Sequence, residues 1–566
     1  MSLSRQRLVG ILGALTLILG VTTVQAPMAL AASVWWVDNT NPSLCSDTGP
    51  GTSGTPLCTI SKAATKATNA GDQVMVRPGT YAEQVTIAAS GAVASPITFT
   101  ASAPGVVVLG TRDLSDAVGW TASGATAWMR AYAPPSAPRQ VFRDDVRMPA
   151  AASLAALTAG QFFYDTVAKV LYVDAGGPNP ADGHTIAAGA QTYGFNLVGR
   201  SNVVVDGFTM RRQNNAGVRL SASSADTVQN VTATEAGVNG ILLESATSNV
   251  TVSGSTVSGS ASVGIKLSAT TGSRITATVS RANGFHGISL SASSNNVIEG
   301  NETVDNRVPT GTNAAAGIDL NSTSPDNVVR GNLTHGNQDS GVQVQNSSHR
   351  ALVIRNISYG NGDHGFDTFG STNVTYLSNT SYGNRRDGFA ATGNATGATL
   401  RNNISVDNGL ASGEFDIYVE ATSATGFSAD ADVVWNSASA TAVKIGLAAY
   451  PTLAAYAAGT GQEAQGRGQD PSFVDAASGS FALSAGSPAI DAADATVAGF
   501  ELVDRIGTTV VDDPNVPDTG AGTPAYADRG ALERTPLPAD PAEAAPHAVL
   551  VLSTNNGQVP PAVTVK

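Results

Sequence analysis

A chain of 566 residues with a formal charge of −13, only 13% charged and 6% aromatic residues, and 60 glycines is too acidic overall to suggest a nucleic-acid partner. After its first 31 residues it has no apolar run long enough to span a bilayer. Its length suggests several domains, unless the chain repeats and grows along one axis. The first 31 residues read as a secretory signal. Arg5 and Arg7 form a basic region, Leu8 to Val24 an apolar one, and Ala29-Leu30-Ala31 a small-residue cleavage site. Cleavage near Ala31 makes the protein extracellular and, by removing two arginines, takes its charge from −13 to −15. An anionic polysaccharide would then need a local basic groove or a bridging cation to approach.

Ser33 to Asp38 reads as a first strand, and Ile60 to Ala70 as a short Ala-rich amphipathic helix introduced by Thr59. Such a helix can cover the open end of a solenoid, where stacked core residues and strand edges would otherwise be exposed. Cys45 and Cys58, the only two cysteines, lie 13 residues apart. In an exported chain they are expected to pair, and the closed loop would contribute about 3 kcal/mol in the chain-entropy model. Val74 to Ile87 and Ser95 to Thr100 then read as entering strands. Residues 110–190, with Trp120, Trp128, Phe142, Phe162 and Tyr172, read as a β-rich excursion from the regular spacing.

From residue 194 to 413 a Gly–apolar–any–apolar unit recurs: Gly194, Gly217, Gly240, Gly264, Gly287, Gly317, Gly341, Gly365, Gly388 and, one residue late, Gly413. The intervals are 23 to 25 residues, with a single 30 that marks an insertion. A unit this short with period-2 patterning predicts the coil of a parallel β-helix. Asn332, Asn356, Asn379 and Asn403 recur one coil apart, as do Asn337, Asn361, Asn384 and Asn408. These predict structural ladders at turns, where asparagine tolerates a left-handed backbone. The string Arg77-Pro-Gly-Thr-Tyr81, followed by Glu83, Val85, Ile87 and Ser95-Pro-Ile-Thr-Phe-Thr100, resembles the opening of secreted right-handed parallel β-helix proteins of the pectate-lyase-like superfamily. The resemblance implies an all-β right-handed solenoid over residues 32–445, closed by the N-terminal helix and a C-terminal cap. Within 446–534, Asp470-Pro-Ser-Phe, Ser487-Pro-Ala-Ile-Asp491 and Asp528-Arg-Gly-Ala-Leu-Glu533 resemble the closing segment that follows such helices. Residues 535–546 form a Pro/Ala/Glu linker, and 547–566 resemble the first strands of a PKD-type module.

The register sorts residues by direction, because the residue between two inward apolar ones points out. That row reads Asn196, Arg219, Leu242, Lys266, Ser289, Asp319, Gln343, Asp367, Ala390 and Asp416, and the next outward row includes Glu244, Gln345 and Phe369. At the turn before each Gly sit His286, Asp339, Asp363, His364, Arg385, Arg386 and Asp387. The resemblance implies a polysaccharide partner and a monomeric enzyme. One reading is a lyase: Asp339, Asp363, Asp367 and Asp387 hold Ca²⁺, which bridges to a uronate. Lys266 removes the C5 proton, with Arg385 and Arg386 as competing bases. His364 and Asp319 belong to the same catalytic set, and Arg219, Gln343, Gln345, His286 and Phe369 would contact substrate. Lyases of this fold with a lysine base place it after the Asp cluster, where this chain has Ala390. A second reading makes Asp319 and Asp367 the acid and base of an inverting hydrolase or, more distantly, part of a C5-epimerase. A third is a non-catalytic, glycan-binding adhesin.

Overall fold

The computed structural model describes residues 32–311, 314–438 and 441–536. The signal segment, most of the linker and the PKD-like segment lie outside the described residues.

Three long sheets wind together as a right-handed parallel β-helix, with 13, 13 and 12 strands among the described residues. One coil shows the plan. Ile318–Asn321 lies in sheet two, Val328–Arg330 in sheet one and Leu333–His335 in sheet three, and Val342–Gln345 returns to sheet two one level up. Strands pair in parallel with their counterparts above, Asp319 opposite Gln343 and Gln343 opposite Asp367, except the terminal Ala448–Tyr450, which pairs antiparallel. The inward residues of the repeat, such as Ile318, Leu320, Val342 and Val344, are fully buried in one continuous core.

The corners carry polar ladders. Between sheets one and three, the Asn332 side chain receives the backbone and side-chain N–H groups of Asn301 and donates to Asn356, and the series continues through Asn379 and Asn403. Between sheets three and two runs Asn283, Asn306, Asn337, Asn361, Asn384 and Asn408. The ladders are structural, as expected, but the ladder asparagines are not the left-handed residues. Positive φ falls on the residue just before each one: Gly331, Arg355, Ser378 and Asn402 in the first ladder, and Gly336, Gly360, Gly383 and Asp407 in the second. The preceding residue turns the corner, which leaves the asparagine free to point its amide inward.

Both ladders end on a carboxylate. Asp416 accepts from Asn408, and Asp432 from Asn403. Asp416 is therefore buried at a corner, and Tyr418 takes the outward-row place beside Ala390 that the sequence assigned to it. The extra residues in the loop after Asn408 shift the register of that coil. Burial pushes Asp432 up to about 6 against its hydrogen bonds, and burial together with the Asp432 charge raises its neighbour Glu463 well above its ordinary value. Asp432 Oδ2 and Glu463 Oε1 are buried without hydrogen-bond partners. Folding therefore favours the protonated pair. Its stabilisation is fully present below the unfolded carboxylate range, near pH 4, and is lost as pH rises through 6 and beyond. Urea unfolding is expected to show a midpoint that falls between pH 5 and pH 8. Asp432→Asn, which keeps the ladder acceptor, should flatten that slope; an unchanged slope would refute this assignment.

At the N-terminal end, α1 (Ile60–Lys66) buries Ile60, Ala63 and Ala64 over the first coils, with Thr59 accepting the Lys62 N–H at 3.2 Å. It is shorter than the sequence suggests because the Asp72 carboxylate captures the N–H groups of Thr68 and Asn69. Cys45 and Cys58 are joined as a disulfide. The segment from Thr111 to Gly189 forms two four-stranded antiparallel sheets around its own core of Leu114, Trp120, Val141, Leu171 and Ile186. At the far end α2 (Leu453–Thr460) buries Leu453 and Tyr456 against the last coil. The chain beyond it does not stay at the end. It folds back along the outer face of sheet three, setting Leu483, Ala489 and Ile490 against Ile404, Val406 and Val433. Arg355, buried beneath it, donates to the carbonyls of Gly530 and Glu501.

Candidate active site

Sheet two and the corner before it bring the predicted polar residues together. Lys266, Ser289, Asp319, Gln343 and Asp367 are consecutive register partners on one outward row, so their spacing is set by the strand separation of about 4.8 Å. Outward does not mean exposed here: Asp319 is 1% and Asp367 6% exposed. Lys266 Nζ donates to Ser289 Oγ at 2.9 Å, and Ser289 Oγ donates to Asp319 Oδ2 at 3.0 Å. Gln345, on the next outward row, donates to Asp319 Oδ1 at 2.8 Å and to Gln343 Oε1 at 2.9 Å. Gln343 in turn donates to Asp367 Oδ2 at 3.0 Å. A continuous hydrogen-bonded chain thus links the two aspartates across two coils.

His286 closes the lower side. Its Nδ1 accepts the Ala316 N–H at 3.1 Å, which leaves the proton on Nε2, 3.5 Å from Asp319 Oδ2. Burial lowers its pKa more than Asp319 raises it, so it is a neutral donor. The contact follows the coil register, since the Asp387 N–H stands in the same place against His364. Burial also lowers Lys266, against the pull of Asp319.

The upper side is a second group. His364 Nδ1 lies 3.1 Å from Asp387 Oδ2, and its Nε2 3.7 Å from Asp363 Oδ1. Burial opposes its charge, but Asp387, Asp367 and Asp363 outweigh burial and raise it to about 9. The Asp387 N–H also lies 3.2 Å from Nδ1. Nδ1 cannot accept that proton and carry its own, and with the imidazole charged it serves the carboxylate. The other Asp387 oxygen accepts the Phe415 N–H at 2.7 Å. Asp339 and Asp363 are both raised, by burial first, with each other's charge adding at Asp339 and His364 and Arg386 opposing at Asp363. Arg385 and Arg386 are both exposed, and Arg386 Nε reaches Asp363 Oδ1 at 3.1 Å. Asp367 is raised by burial, against the charge of His364 and the Gln343 hydrogen bond.

His286 and His364 serve different halves of the site, as their three-coil separation predicts. Arg219 is held by Glu244 at 2.7 Å and lies over the Tyr193 ring. Phe369 projects from the strand of Asp367 and is 46% exposed. Sequence reasoning gave no role to Ser289, although the row itself contains it. The four acids expected to bind Ca²⁺ do not offer a free donor set. Both Asp387 oxygens are taken, and Asp363 faces two cationic side chains. Among the described residues, the only acidic trio with ligand atoms within 4.8 Å of one another is Asp491, Asp512 and Asp518, outside this groove. A cleft of about 420 Å³ also lies elsewhere, between the antiparallel excursion and Gly237, and is lined by Arg139, Phe162, Phe163 and Tyr164. The hydrogen-bonded row, not that cleft, carries the acid–base groups.

A family model described as the right handed beta helix region matches residues 193–356 and 281–431. No curated protein matches the sequence. Among solved structures, the chain is similar to the complex of XylC with xylose, at 13% identity over 71% of this chain and 75% of that one, TM-score 0.47. It is similar to a glycoside hydrolase at 11% identity over 71% and 96%, TM-score 0.47. Similarity to pectate lyase Pel9A is 16% over 89% and 96%, TM-score 0.43. These likenesses concern the fold.

Proposed function

We propose that this right-handed parallel β-helix is an exported enzyme that hydrolyses a glycosidic bond with inversion, Asp367 acting as the acid and Asp319 as the base. The observation that supports this is the contrast between two carboxylates on one row. Asp367 is held toward its protonated form by burial, whereas Asp319 is an acceptor for Ser289 and Gln345 with the His286 N–H facing it. Two strand spacings separate them by about 9–10 Å, at the upper edge of the roughly 6.5–9.5 Å that leaves room for a water. Asp367 gives its proton to the departing glycosidic oxygen as the C–O bond breaks. Asp319 takes a proton from the water whose oxygen bonds to the anomeric carbon. Phe369 offers a face on which a sugar ring can stack. An acidic chain suits a neutral glycan better than a uronan.

Product analysis tests the reading. Incubation with neutral glycans should release reducing ends without near-ultraviolet absorbance, and the first-formed anomer should be inverted by NMR. An unsaturated, absorbing product from a uronan would replace hydrolysis with elimination and make the partly desolvated Lys266 the base. No product from either class would overturn the catalytic reading in favour of a glycan-binding solenoid. Among the described residues no helix is long and apolar enough to cross a membrane. We place the protein outside the cell on the strength of the signal pattern, as a monomer whose partner is a polysaccharide and not a nucleic acid.

A further inference from the structure

The C-terminal segment that lies on sheet three contains a feature the active-site reading does not use. Asp491 ends the Ser487-Pro-Ala-Ile-Asp491 turn and is 0% exposed. Its backbone is fully engaged: its N–H donates to Asp528 Oδ1 at 2.8 Å, and its carbonyl accepts the N–H groups of Thr519 and Gly520 at 2.8 and 3.0 Å. Those last two bonds fasten the 512–520 loop to the turn. Its side chain is engaged on one side only. Oδ2 accepts the Asp513 N–H at 3.3 Å, whereas Oδ1 is buried with no hydrogen-bond partner. A buried carboxylate oxygen left this way costs on the order of 1–3 kcal/mol or more, so something outside the chain is expected to satisfy it.

The exposed carboxylates of Asp512 and Asp518 converge on the same place, each offering an oxygen within 4.8 Å of the others and of Asp491. The neighbouring cation, Arg534, is paired with Asp513 and not with these three carboxylates. We propose that Asp491, Asp512 and Asp518 form a binding site for a divalent cation, with calcium as its ion. The donors are oxygen only, which selects a hard cation over zinc or copper. The spread of up to 4.8 Å closes around an ion with metal–oxygen distances of about 2.3–2.6 Å, the calcium range. Magnesium, at about 2.0–2.1 Å, would require the loop to tighten. Asp512 and Asp518 lie on the open side, where water completes the shell. The ion would join the 491 turn to the 512–520 loop and so hold the returning segment against the flank of the solenoid. Its role is structural and independent of the chemistry on sheet two.

The test uses the full secreted chain, stripped with chelator, and calcium titrated by calorimetry. Wild type should bind one calcium per chain, and hydrogen exchange at Thr519 and Gly520 should slow on binding. Asp512→Asn/Asp518→Asn, which alters only exposed side chains, should fold normally and bind at least ten-fold more weakly. Asp339→Asn/Asp363→Asn, in the groove, should bind as wild type does. Calcium binding that survives the Asp512/Asp518 change, or that is lost only in the groove variant, would overturn the site. Absence of saturable calcium binding by wild type would overturn it as well, and saturation by magnesium alone would overturn the choice of ion.

Discussion

Asp367→Asn is expected to lower kcat/KM on a cleavable glycan by about 10²–10⁴-fold, the contribution of a positioned acid, with the fold retained. The side chain sits on a regular strand between Gln343 and Ala390, and the amide is nearly isosteric with the acid. Asp319→Asn should cost a similar factor. The pH profiles distinguish the two roles. An acid must be protonated, so activity dependent on Asp367 is present below its raised pKa and is lost as pH climbs through it. His364 lowers that pKa with its charge, so His364→Gln should move the alkaline limb to higher pH. A residue that merely supports the structure would change the rate without moving the limb. Unchanged turnover in both aspartate variants would remove the site from this row. A limb that stays in place in His364→Gln would detach His364 from Asp367.

Asn356→Leu should have the largest effect on stability. The residue is fully buried, and its Oδ1 accepts both N–H groups of Asn332 at 2.9 Å. Its Nδ2 donates to the carbonyls of Val329 and Ile354 and to Asn379 Oδ1 at 2.8, 3.0 and 3.0 Å. Leucine keeps the branched skeleton but takes the acceptor from two N–H groups of Asn332 on the coil below and the donor from acceptors below, beside and above it. With each unsatisfied buried group costing about 1–3 kcal/mol, the loss should be on the order of 3–5 kcal/mol, read as a fall in the urea midpoint. The damage should spread to adjacent coils, because every rung holds the next. A change below about 1 kcal/mol would mean that these bonds add little beyond the apolar stack.

The period of 23 to 25 residues carried the solenoid, the identity of the inward residues and the outward row from Lys266 to Asp367, because each coil repeats the same strand alternation. It failed where the repeat is irregular. The loop after Asn408 displaced Asp416 into a corner, and α1 ended early at an acceptor that local propensity does not reveal. The ladder asparagines were legible as ladders but not in backbone conformation, since the turn is made by the residue before each of them.

What the sequence by itself determined is therefore what a period can encode: strand, corner, direction and height along the axis. Contacts between coils and between distant segments were decided by the tertiary structure. Only stacking places His364 against an Asp387 that lies 23 residues away. Only stacking, too, sets the Ala316 amide on His286 and fixes its proton. Only the return of the C-terminal segment buries Asp491 beside Asp512 and Asp518. The physical reason is that burial and charge act through space. Two carboxylates equivalent in the repeat, Asp319 and Asp367, differ only through what is packed against each.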